Sequence, residues 1–323
     1  MNPKVSVIIP VYNTAAYLEK SLGSVFGQTY ENIEIIAVND GSPDHSSEIL
    51  ETLKQRESRL FVFNKKNEGA VAARIDGMKQ ASGEYIYYLD SDDYLAPDAI
   101  ERLVRKAQET GADMVAGDFW LEFSPTDIRE FTTPDFDSID NMDFLKRLLE
   151  YRSFWFLPSR LHKRELLTTQ NMSVPEDIVM AEDMIITLQI TLQAKKVAKI
   201  SGPIMYYVQR ESSITHQKGN AAFRNQFMRV PVLIERILKE TPYYTFLESS
   251  VEGLKIRVMS EIFKYHYFEG MHDRCKEAKK VMKRFPEIAP LLPRRARKLI
   301  RAFALSQTVG ILVAKHYIRK KKL

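Results

Sequence analysis

The segment from Tyr85 to Asp93 reads YIYYLDSDD, a hydrophobic run that ends in three carboxylates. A short apolar run closed by polar turn residues is typical of a buried strand. Carboxylates two residues apart at a strand end can face one cavity, where they repel each other unless a cation or ligand donors compensate them. They can equally form a solvated turn that caps the next helix, since Asp and Ser are ordinary turn residues. The surroundings of the segment decide between these interpretations.

Those surroundings alternate between strand-like and helix-like patterns. The spacing of apolar residues predicts strands over 5–10, 33–38, 60–63 and 85–89, and helices over 17–27, 70–80 and 98–110. Such alternation predicts an α/β fold with a largely parallel sheet and helices on both faces. Ligands of these sheets bind at the carboxyl ends of the strands. Asp40 and Asp90 both follow predicted strands, so we expect the functional site there.

The rest of the chain is less regular until a helical region begins. Residues 118–200 show no clear period, and after Pro203 the pattern predicts helices over 223–240, 246–269 and 273–285. The aromatic-rich stretch 243–268 fits either a helix-packing core or a carbohydrate-stacking surface.

Composition and charge narrow the class of protein. The 323 residues are 45% hydrophobic and 28% charged, which is ordinary for a globular protein, and Cys275 is the single cysteine. Residues 293–323 hold ten Lys or Arg and no Asp or Glu, whereas residues 1–292 hold 37 basic and 42 acidic residues. Because the basic excess belongs to the tail, the sequence argues against a nucleic-acid-binding surface on the body. A lone cysteine, interpreted as a buried apolar filler, fits a reducing compartment.

Several ordered segments resemble family 2 glycosyltransferases. Residues 5–13 (VSVIIPVYN), 22–30 (LGSVFGQTY), 34–42 (EIIAVNDGS) and 89–95 (LDSDDYL) closely resemble the conserved opening of that family, as do Asn67-Glu68-Gly69 and Ala73-Arg74. The resemblance spans about residues 4–115 and continues more weakly through 181–183 and 206–215. It implies the glycosyltransferase-A fold, with a catalytic domain over 1–215 (donor half 1–117, acceptor-side half 118–215), a helical region over 216–292 and a basic amphipathic tail over 293–323.

The resemblance also implies the residues that bind a nucleotide diphosphate sugar. Asp40 would accept a hydrogen bond from the base, Asp90 would lie near the ribose, and Asp92 would bind a divalent metal, Mn²⁺ or Mg²⁺, whose other ligands include diphosphate oxygens. The remaining donor-site residues are Pro10, Val11, Tyr12, Asn67, Gly69, Arg74 and Ser91. For Arg74 the alternative is an ion pair on a helix surface.

A second set of residues is expected to carry out the transfer. Asp183, with Glu182 beside it, is the predicted general base, which would remove the proton of the acceptor hydroxyl. Asp183 could instead be a helix N-terminal residue favoured by the helix dipole. Ala181 precedes the pair where family members often have Gly, which puts the local geometry in doubt.

Residues on either side of this pair are assigned from the same resemblance. Arg210 and Ser213 are expected to close over the diphosphate, or else to belong to an exposed loop. Trp155, Arg160 and His162 are expected on the acceptor side, with His162 interpreted as a satisfied structural histidine that has no catalytic role.

The predicted function is therefore an inverting, metal-dependent sugar transfer from a nucleotide diphosphate sugar, UDP-linked, to a bacterial surface glycan or a lipid-linked acceptor. The rival hypotheses are a nucleotidyltransferase and a non-catalytic nucleotide-binding protein associated with membranes. No Gly-x-Gly-x-x-Gly or Walker loop supports a dinucleotide or P-loop site, and no Cys/His cluster suggests zinc.

The tail suggests a location for the enzyme. Residues 303–314 are apolar and lie between basic clusters, but a spanning helix needs ~20 apolar residues. Two interpretations remain: an amphipathic helix that binds anionic lipid, and a terminus that packs on the helical region. The apolar start of the chain reads as a strand rather than a signal core, so we expect a cytoplasmic enzyme, peripheral on the inner face of the membrane.

Overall fold

The computed structural model of the chain describes residues 2–210, 221–263 and 267–319, and the side chains of 221–223 and 318–319 are not described. The chain divides into two compact units: residues 1–145 with 152–213, and residues 146–151 with 214–323. Each unit has a hydrophobic core of its own.

A ten-stranded sheet forms the centre of the first unit. Its path is β3-β2-β1-β4-β9-β6-β10-β5, with β7 paired to β6 and β8 paired to β10. Strands β1 to β4 are parallel neighbours, and β6 is parallel to β10, whereas β9 and β5 run antiparallel to their partners. The strands are β1 (Val5–Val11), β2 (Ile33–Asp40), β3 (Leu60–Lys65), β4 (Tyr85–Tyr88), β5 (Tyr94–Leu95), β6 (Met114–Ser124), β7 (Asp127–Phe131), β8 (Ser138–Asp140), β9 (Arg160–Lys163) and β10 (Lys196–Val208).

Twelve α-helices are found in the described residues. They are α1 (Ala15–Phe26), α2 (Ser46–Lys54), α3 (Ala70–Gln80), α4 (Ala99–Thr110), α5 (Asn141–Leu149), α6 (Glu182–Gln193), α7 (Ala221–Lys239), α8 (Tyr244–Ile262), α9 (Met271–Arg284), α10 (Ile288–Leu291), α11 (Arg294–Leu305) and α12 (Gln307–Arg319).

Helices cover both faces of the sheet. Successive residues of a strand point to opposite faces, and every residue of β1 is buried, so both faces need a covering layer. Val7 and Ile9 of β1 share a core with α1, α2 and α4. On the opposite face, a Cβ atom at Gly77 of α3 would lie 2.4 Å from Ile8 Cγ2, so only glycine allows α3 to approach β1 this closely. The predicted α/β class and mostly parallel sheet are confirmed.

Two predicted boundaries differ from the structure. The chain was expected to become helical after Pro203, but β10 continues to Val208. The pairing register of β10 with β6 shifts on both sides of Pro203, and such an irregularity tolerates a residue that cannot donate a ladder hydrogen bond. Helix α8 ends at Ile262, well before the predicted residue 269.

The helical unit takes up part of the basic tail. Leu299, Ile300 and Phe303 of α11 lie in the core of this unit together with Met271 and Cys275 of α9. The apolar side of α11 therefore packs on the helical unit, as expected if the tail is a terminus that packs on the helical region. Within the described ranges, no helix has the length and apolarity that a membrane crossing demands.

Candidate donor and catalytic site

The carboxyl ends of three neighbouring parallel strands meet at one edge of the sheet. Val11 at the end of β1 pairs with Asn39, next to Asp40, and Ile8 pairs with Tyr88, the last residue of β4. Residue Tyr12 follows β1 at this edge and exposes 49% of its surface. Pro10 and Val11 are buried, so their predicted part in a nucleotide pocket is limited to shaping its wall.

Asp40 holds the loop that contains Asn67. Its two carboxylate oxygens accept hydrogen bonds from the backbone N–H groups of Glu68 (3.0 Å) and Gly69 (2.8 Å). The loop packs closely on Gly41, since a Cβ atom there would lie 2.8 Å from the Asn67 backbone nitrogen. Each Asp40 oxygen keeps a second lone pair, and the Asn67 side chain is exposed. Asp40 itself is buried, so its observed role is to fix the loop, while the side chain of Asn67 remains exposed.

The Asp90-Ser91-Asp92 turn is supported from two sides. The Ser91 hydroxyl shares a hydrogen bond of 2.8 Å with the hydroxyl of Thr14, which follows β1. The next residue, Asp93, is buried and accepts a hydrogen bond from the Val208 backbone N–H (2.9 Å) at the end of β10. The sequence assigned Asp93 to support of the turn; it did not identify Thr14, because a hydroxyl in a loop carries no distinctive pattern.

Asp92 lies against a cation of the protein. Its Oδ2 is 2.7 Å from Nε of Arg210, an ion pair by distance although the N–H is not directed at the oxygen. Burial and the charge of Asp90 raise the pKa of Asp92, and Arg210 opposes that rise. Arg210 therefore reaches the predicted metal ligand itself. Ser213, the other predicted diphosphate contact, lies outside the described residues.

Arg74 joins the donor-side and acceptor-side carboxylates. Its Nη2 donates to Asp90 Oδ1 (2.8 Å), and its Nη1 lies 3.2 Å from Asp183 Oδ1 and 3.4 Å from Glu182 Oε1. The guanidinium is buried, and the three carboxylates outweigh the effect of burial and raise its pKa. The surface ion pair considered for Arg74 is thus replaced by a buried one, and two residues more than a hundred positions away become its partners.

Asp183 and Glu182 open α6 at this same place. Asp183 Oδ2 accepts a hydrogen bond from the Leu157 backbone N–H (3.3 Å). Burial raises the pKa of Asp183, and burial together with the charge of Asp183 raises the pKa of Glu182 to about 7. Ala181 precedes them in the left-handed conformation with φ 59°, a region that favours glycine. A carboxylate whose pKa approaches neutrality suits proton abstraction.

The residues expected on the acceptor side are buried instead. Arg160 and His162 are fully buried on β9, and Trp155 is nearly so. Neither ring nitrogen of His162 has a hydrogen-bond partner among the described residues, so the expectation of a satisfied histidine is wrong. Burial and the charge of Arg160 lower the pKa of His162 to about 3, which keeps the ring neutral.

The donor set suits a metal that is shared with substrate. Among the described residues, no group of three or more His, Cys, Asp or Glu side chains could hold a metal by itself. Asp92 offers the hard oxygen ligands that Mg²⁺ and Mn²⁺ accept, although Arg210 occupies one of its oxygens. The residues therefore fit an ion whose remaining ligands come from a diphosphate and water.

Sequence comparison agrees with this geometry. Residues 6–164 match the model of the family described as glycosyl transferase family 2. The chain is 34% identical over 221 residues to the uncharacterized glycosyltransferase EpsJ of Bacillus subtilis, covering 67% of this chain and 64% of EpsJ. It is 31% identical over 270 residues to EpsH of the same organism, named as a putative glycosyltransferase, covering 77% of this chain and 76% of EpsH.

Solved structures share the fold at low identity. TarS residues 1–349 of S. aureus in complex with UDP-GlcNAc superpose with a TM-score of 0.65 at 19% identity, over 98% of this chain and 92% of TarS. The mannosyltransferase PcManGT of Pyrobaculum calidifontis, in complex with GDP-Man and Mn²⁺, gives 0.57 at 14% identity, over 100% of this chain and 89% of PcManGT.

Proposed function

Because the chain belongs to glycosyltransferase family 2 and has the glycosyltransferase-A fold, we propose that it transfers a sugar from a UDP-linked donor to an acceptor hydroxyl with inversion. One observation carries this proposal: a single buried guanidinium, that of Arg74, contacts Asp90 on the donor side and Asp183 on the acceptor side. The predicted donor carboxylate, Asp90, and the predicted base, Asp183, are thus bridged by the same guanidinium group. The UDP-GlcNAc complex of TarS supports a UDP-linked donor.

The reaction is a single displacement. Asp183 accepts the proton of the acceptor hydroxyl while that oxygen forms a bond to the anomeric carbon. The bond from this carbon to the diphosphate oxygen breaks on the opposite face, and its electron pair leaves with UDP. Asp92 would hold a Mn²⁺ or Mg²⁺ ion, which would supply neutralisation of the charge that develops on the leaving diphosphate. Arg210 contributes a second cation for the same phosphates.

Side-chain positions support the remaining donor contacts. The exposed ring of Tyr12 is suited to pack on the base, and Asp40, which ends the neighbouring strand β2, is the proposed acceptor of the imide N–H of uracil. The side chain of Asn67 and the backbone around Gly69 border the same edge of the sheet. Ser91 keeps the turn in place rather than binding the donor.

The test is transfer and donor hydrolysis with Mn²⁺ and a panel of nucleotide sugars, followed by UDP release. We expect Asp92→Ala and Asp183→Asn each to lower turnover at least a hundredfold, since each removes a group on which the displacement depends. Asp183→Asn should still bind UDP in calorimetry, whereas Asp92→Ala should lose Mn²⁺-dependent binding. Asp76→Asn is the matched control, because Asp76 also lies on the helix of Arg74 but pairs with Lys65 and Lys79 at the surface. Full transfer by Asp183→Asn contradicts the proposed base.

The acceptor proposed is a glycan or lipid-linked saccharide at the cytoplasmic face of the membrane. Exposed basic residues follow one another along α11, and Leu305 at its end and Leu312 on α12 expose 72% and 64% of their surface. Basic charge beside exposed apolar side chains complements an anionic lipid surface. We therefore propose that the enzyme is peripheral on the membrane through 293–323, where it meets its acceptor.

A further inference from the structure

Arg160 is a charged side chain in the interior of the sheet. It lies on β9 between β4 and β6, and none of its surface is exposed. Its Nη1 donates to the Phe156 carbonyl (2.7 Å), while Nε and Nη2 have no hydrogen-bond partner among the described residues. Burial lowers the pKa of Arg160 to about 9, so the group keeps its charge at neutral pH. The guanidinium also lies over the ring of Phe144, 5.5 Å from its centroid, so both of its observed partners are neutral. A buried cation whose partners carry no negative charge is costly, which suggests that it has a function.

One peptide group connects Arg160 to the proposed base. The carbonyl of Phe156 accepts from Arg160, and the N–H of the same peptide unit, belonging to Leu157, donates to Asp183 Oδ2 (3.3 Å). A cation that binds the carbonyl of a peptide polarises it and strengthens the hydrogen bond that its N–H donates. The orientation of Asp183 thus depends on a peptide that Arg160 holds.

The charges around Asp183 give Arg160 a second effect. Four charged groups face Asp183: Arg74 from α3, Asp90 after β4, Glu182 beside it on α6, and Arg160 from β9. Arg74 is divided among three carboxylates. Arg160 has no carboxylate in ion-pair contact within the described part of the chain, and Asp183 is the acidic group that its charge acts on. Arg160 therefore adds positive potential at Asp183, and unlike Arg74 it forms no ion pair with Glu182 or Asp90.

We propose that Arg160 is a positioning residue of the transfer reaction: through the Phe156–Leu157 peptide and through its charge, it fixes the orientation of Asp183 and keeps that carboxylate ionised. This inference rests on the proposed role of Asp183 as the base. The pH range in which the enzyme works is then set in part by a side chain that touches neither donor nor acceptor.

The experiment is the pH profile of kcat/KM for sugar transfer by the full chain, in the wild type, Arg160→Met, Arg160→Lys and Arg164→Met. Removal of the positive charge favours the protonated form of Asp183, so the acidic limb of the Arg160→Met profile should move up by about 1 pH unit. Activity below the limb should fall about tenfold, with recovery at higher pH. Arg160→Lys keeps the charge and should shift the limb less. The limb reports the Glu182–Asp183 pair rather than one residue.

Arg164→Met is the matched control, because Arg164 also donates to a backbone carbonyl, that of Gly83 (2.6 Å), and follows the same strand. Its profile should keep the wild-type limb. A purely structural role of Arg160 would lower kcat equally at every pH, and that result overturns the inference. If Arg160→Met does not fold by circular dichroism, Arg160→Gln takes its place with the same expectation. Retained transfer by Asp183→Asn refutes the base itself, whereas an inactive Asp183→Asn with an unshifted Arg160→Met profile refutes only the role of Arg160.

Discussion

At the scale of single residues, Ala181 adopts a strained backbone conformation directly before Glu182 and Asp183. Its φ of 59° lies in the left-handed region, which costs a non-glycine residue ~1–2 kcal/mol. Ala181→Gly removes this strain and adds ~0.5–1 kcal/mol of chain entropy in the unfolded state, so we expect a net gain in the free energy of unfolding of about 0.5 kcal/mol. Urea unfolding followed by tryptophan fluorescence measures it, since Trp120 and Trp155 both lie in the first unit.

The control for this change is Ala72→Gly within α3, where the same substitution should cost about 1 kcal/mol because the backbone there is already helical. Equal losses in the two variants would mean that Ala181 is not strained.

Arg74 is the residue on which the stability of the carboxylate cluster depends. Arg74→Met leaves Asp90, Glu182 and Asp183 without their shared cation, and removal of one partner of a buried ion pair costs ~3 kcal/mol or more. The loss should depend on pH. A carboxyl whose pKa is raised in the folded state contributes its full stability below its unfolded pKa of ~4. That contribution is lost as the pH rises through the folded pKa, which is about 7 for Glu182.

We therefore expect Arg74→Met to be destabilised more at pH 8 than at pH 5.5 in urea unfolding, as those pH values bracket the titration of Glu182 at about 7. Lys65→Met is the control, because Lys65 pairs with Glu68 and Asp76 nearer the surface, and the pKa of Asp76 is lowered by Lys65 and Lys79. Its loss should be small and nearly constant across this range. A pH-independent loss in Arg74→Met would contradict the clustering of the three carboxylates.

The sequence predicted that Asp40 and Asp90 lie at one edge of the sheet, but it did not predict which residues contact the proposed site residues. Asp40 and Asp90 could be placed because each follows a buried strand, and strand ends of a parallel sheet share an edge. The contact of Arg74 with Asp183 joins residues on α3 and α6, and no local period encodes such a distance. The hydrogen bond from Leu157 to Asp183 comes from the backbone, so no side-chain pattern could reveal it.

At the scale of elements, the end of β10 is tied to the turn after β4. Val208 donates to Asp93, and Arg210 lies against Asp92, so strand and turn form one unit at the donor edge. A divalent ion on Asp92 must compete with Arg210 for the same carboxylate. We therefore expect Arg210→Met to bind Mn²⁺ about fivefold more tightly than the wild type when no nucleotide is present, as a partly exposed ion pair is worth up to ~1 kcal/mol.

Electron paramagnetic resonance of free Mn²⁺ measures that affinity directly. With Mn²⁺ saturating, the same variant should bind UDP more weakly, because a cation for the phosphates is lost. Arg102→Met is the control: Arg102 pairs with Asp98 on α4 and should leave both affinities unchanged. Wild-type or weaker Mn²⁺ binding by Arg210→Met would show that Arg210 does not compete.

The predicted element boundaries agree with the structure for strands that are completely buried, and they disagree where the backbone is irregular. The first four strands were predictable because β1, β2 and β4 are rich in apolar side chains and are buried at every residue. Strand β10 was not predicted, because residues 118–200 show no clear period and helices were expected after Pro203; the bulged pairing there accommodates proline. The end of α8 at Ile262 could not be read from apolar spacing, which continues beyond it.

At the scale of the whole molecule, charge and apolar surface separate along the chain. The tail carries ten of the basic residues and no acidic one. Its apolar residues are divided: Leu299 and Phe303 lie in the core of the helical unit, and Leu305 and Leu312 remain exposed. The apolar side of α11 thus fits the interpretation that the tail packs on the helical unit. Its basic side remains in solvent and is still available for the other interpretation, binding of anionic lipid.

The exposed side is expected to bind anionic lipid. Full-length protein should sediment with phosphatidylglycerol vesicles at low salt, stay in solution with phosphatidylcholine vesicles, and be released as salt screens the charges. The triple variant with Gln at Arg294, Lys298 and Arg301 should lose most of this binding, at roughly 1 kcal/mol per charge. The matched control places Gln at Lys276, Lys279 and Lys283, three exposed lysines of α9 in the same unit. Since both variants change the net charge equally, equal losses would mean that overall charge, and not the face of α11, holds the enzyme on the membrane.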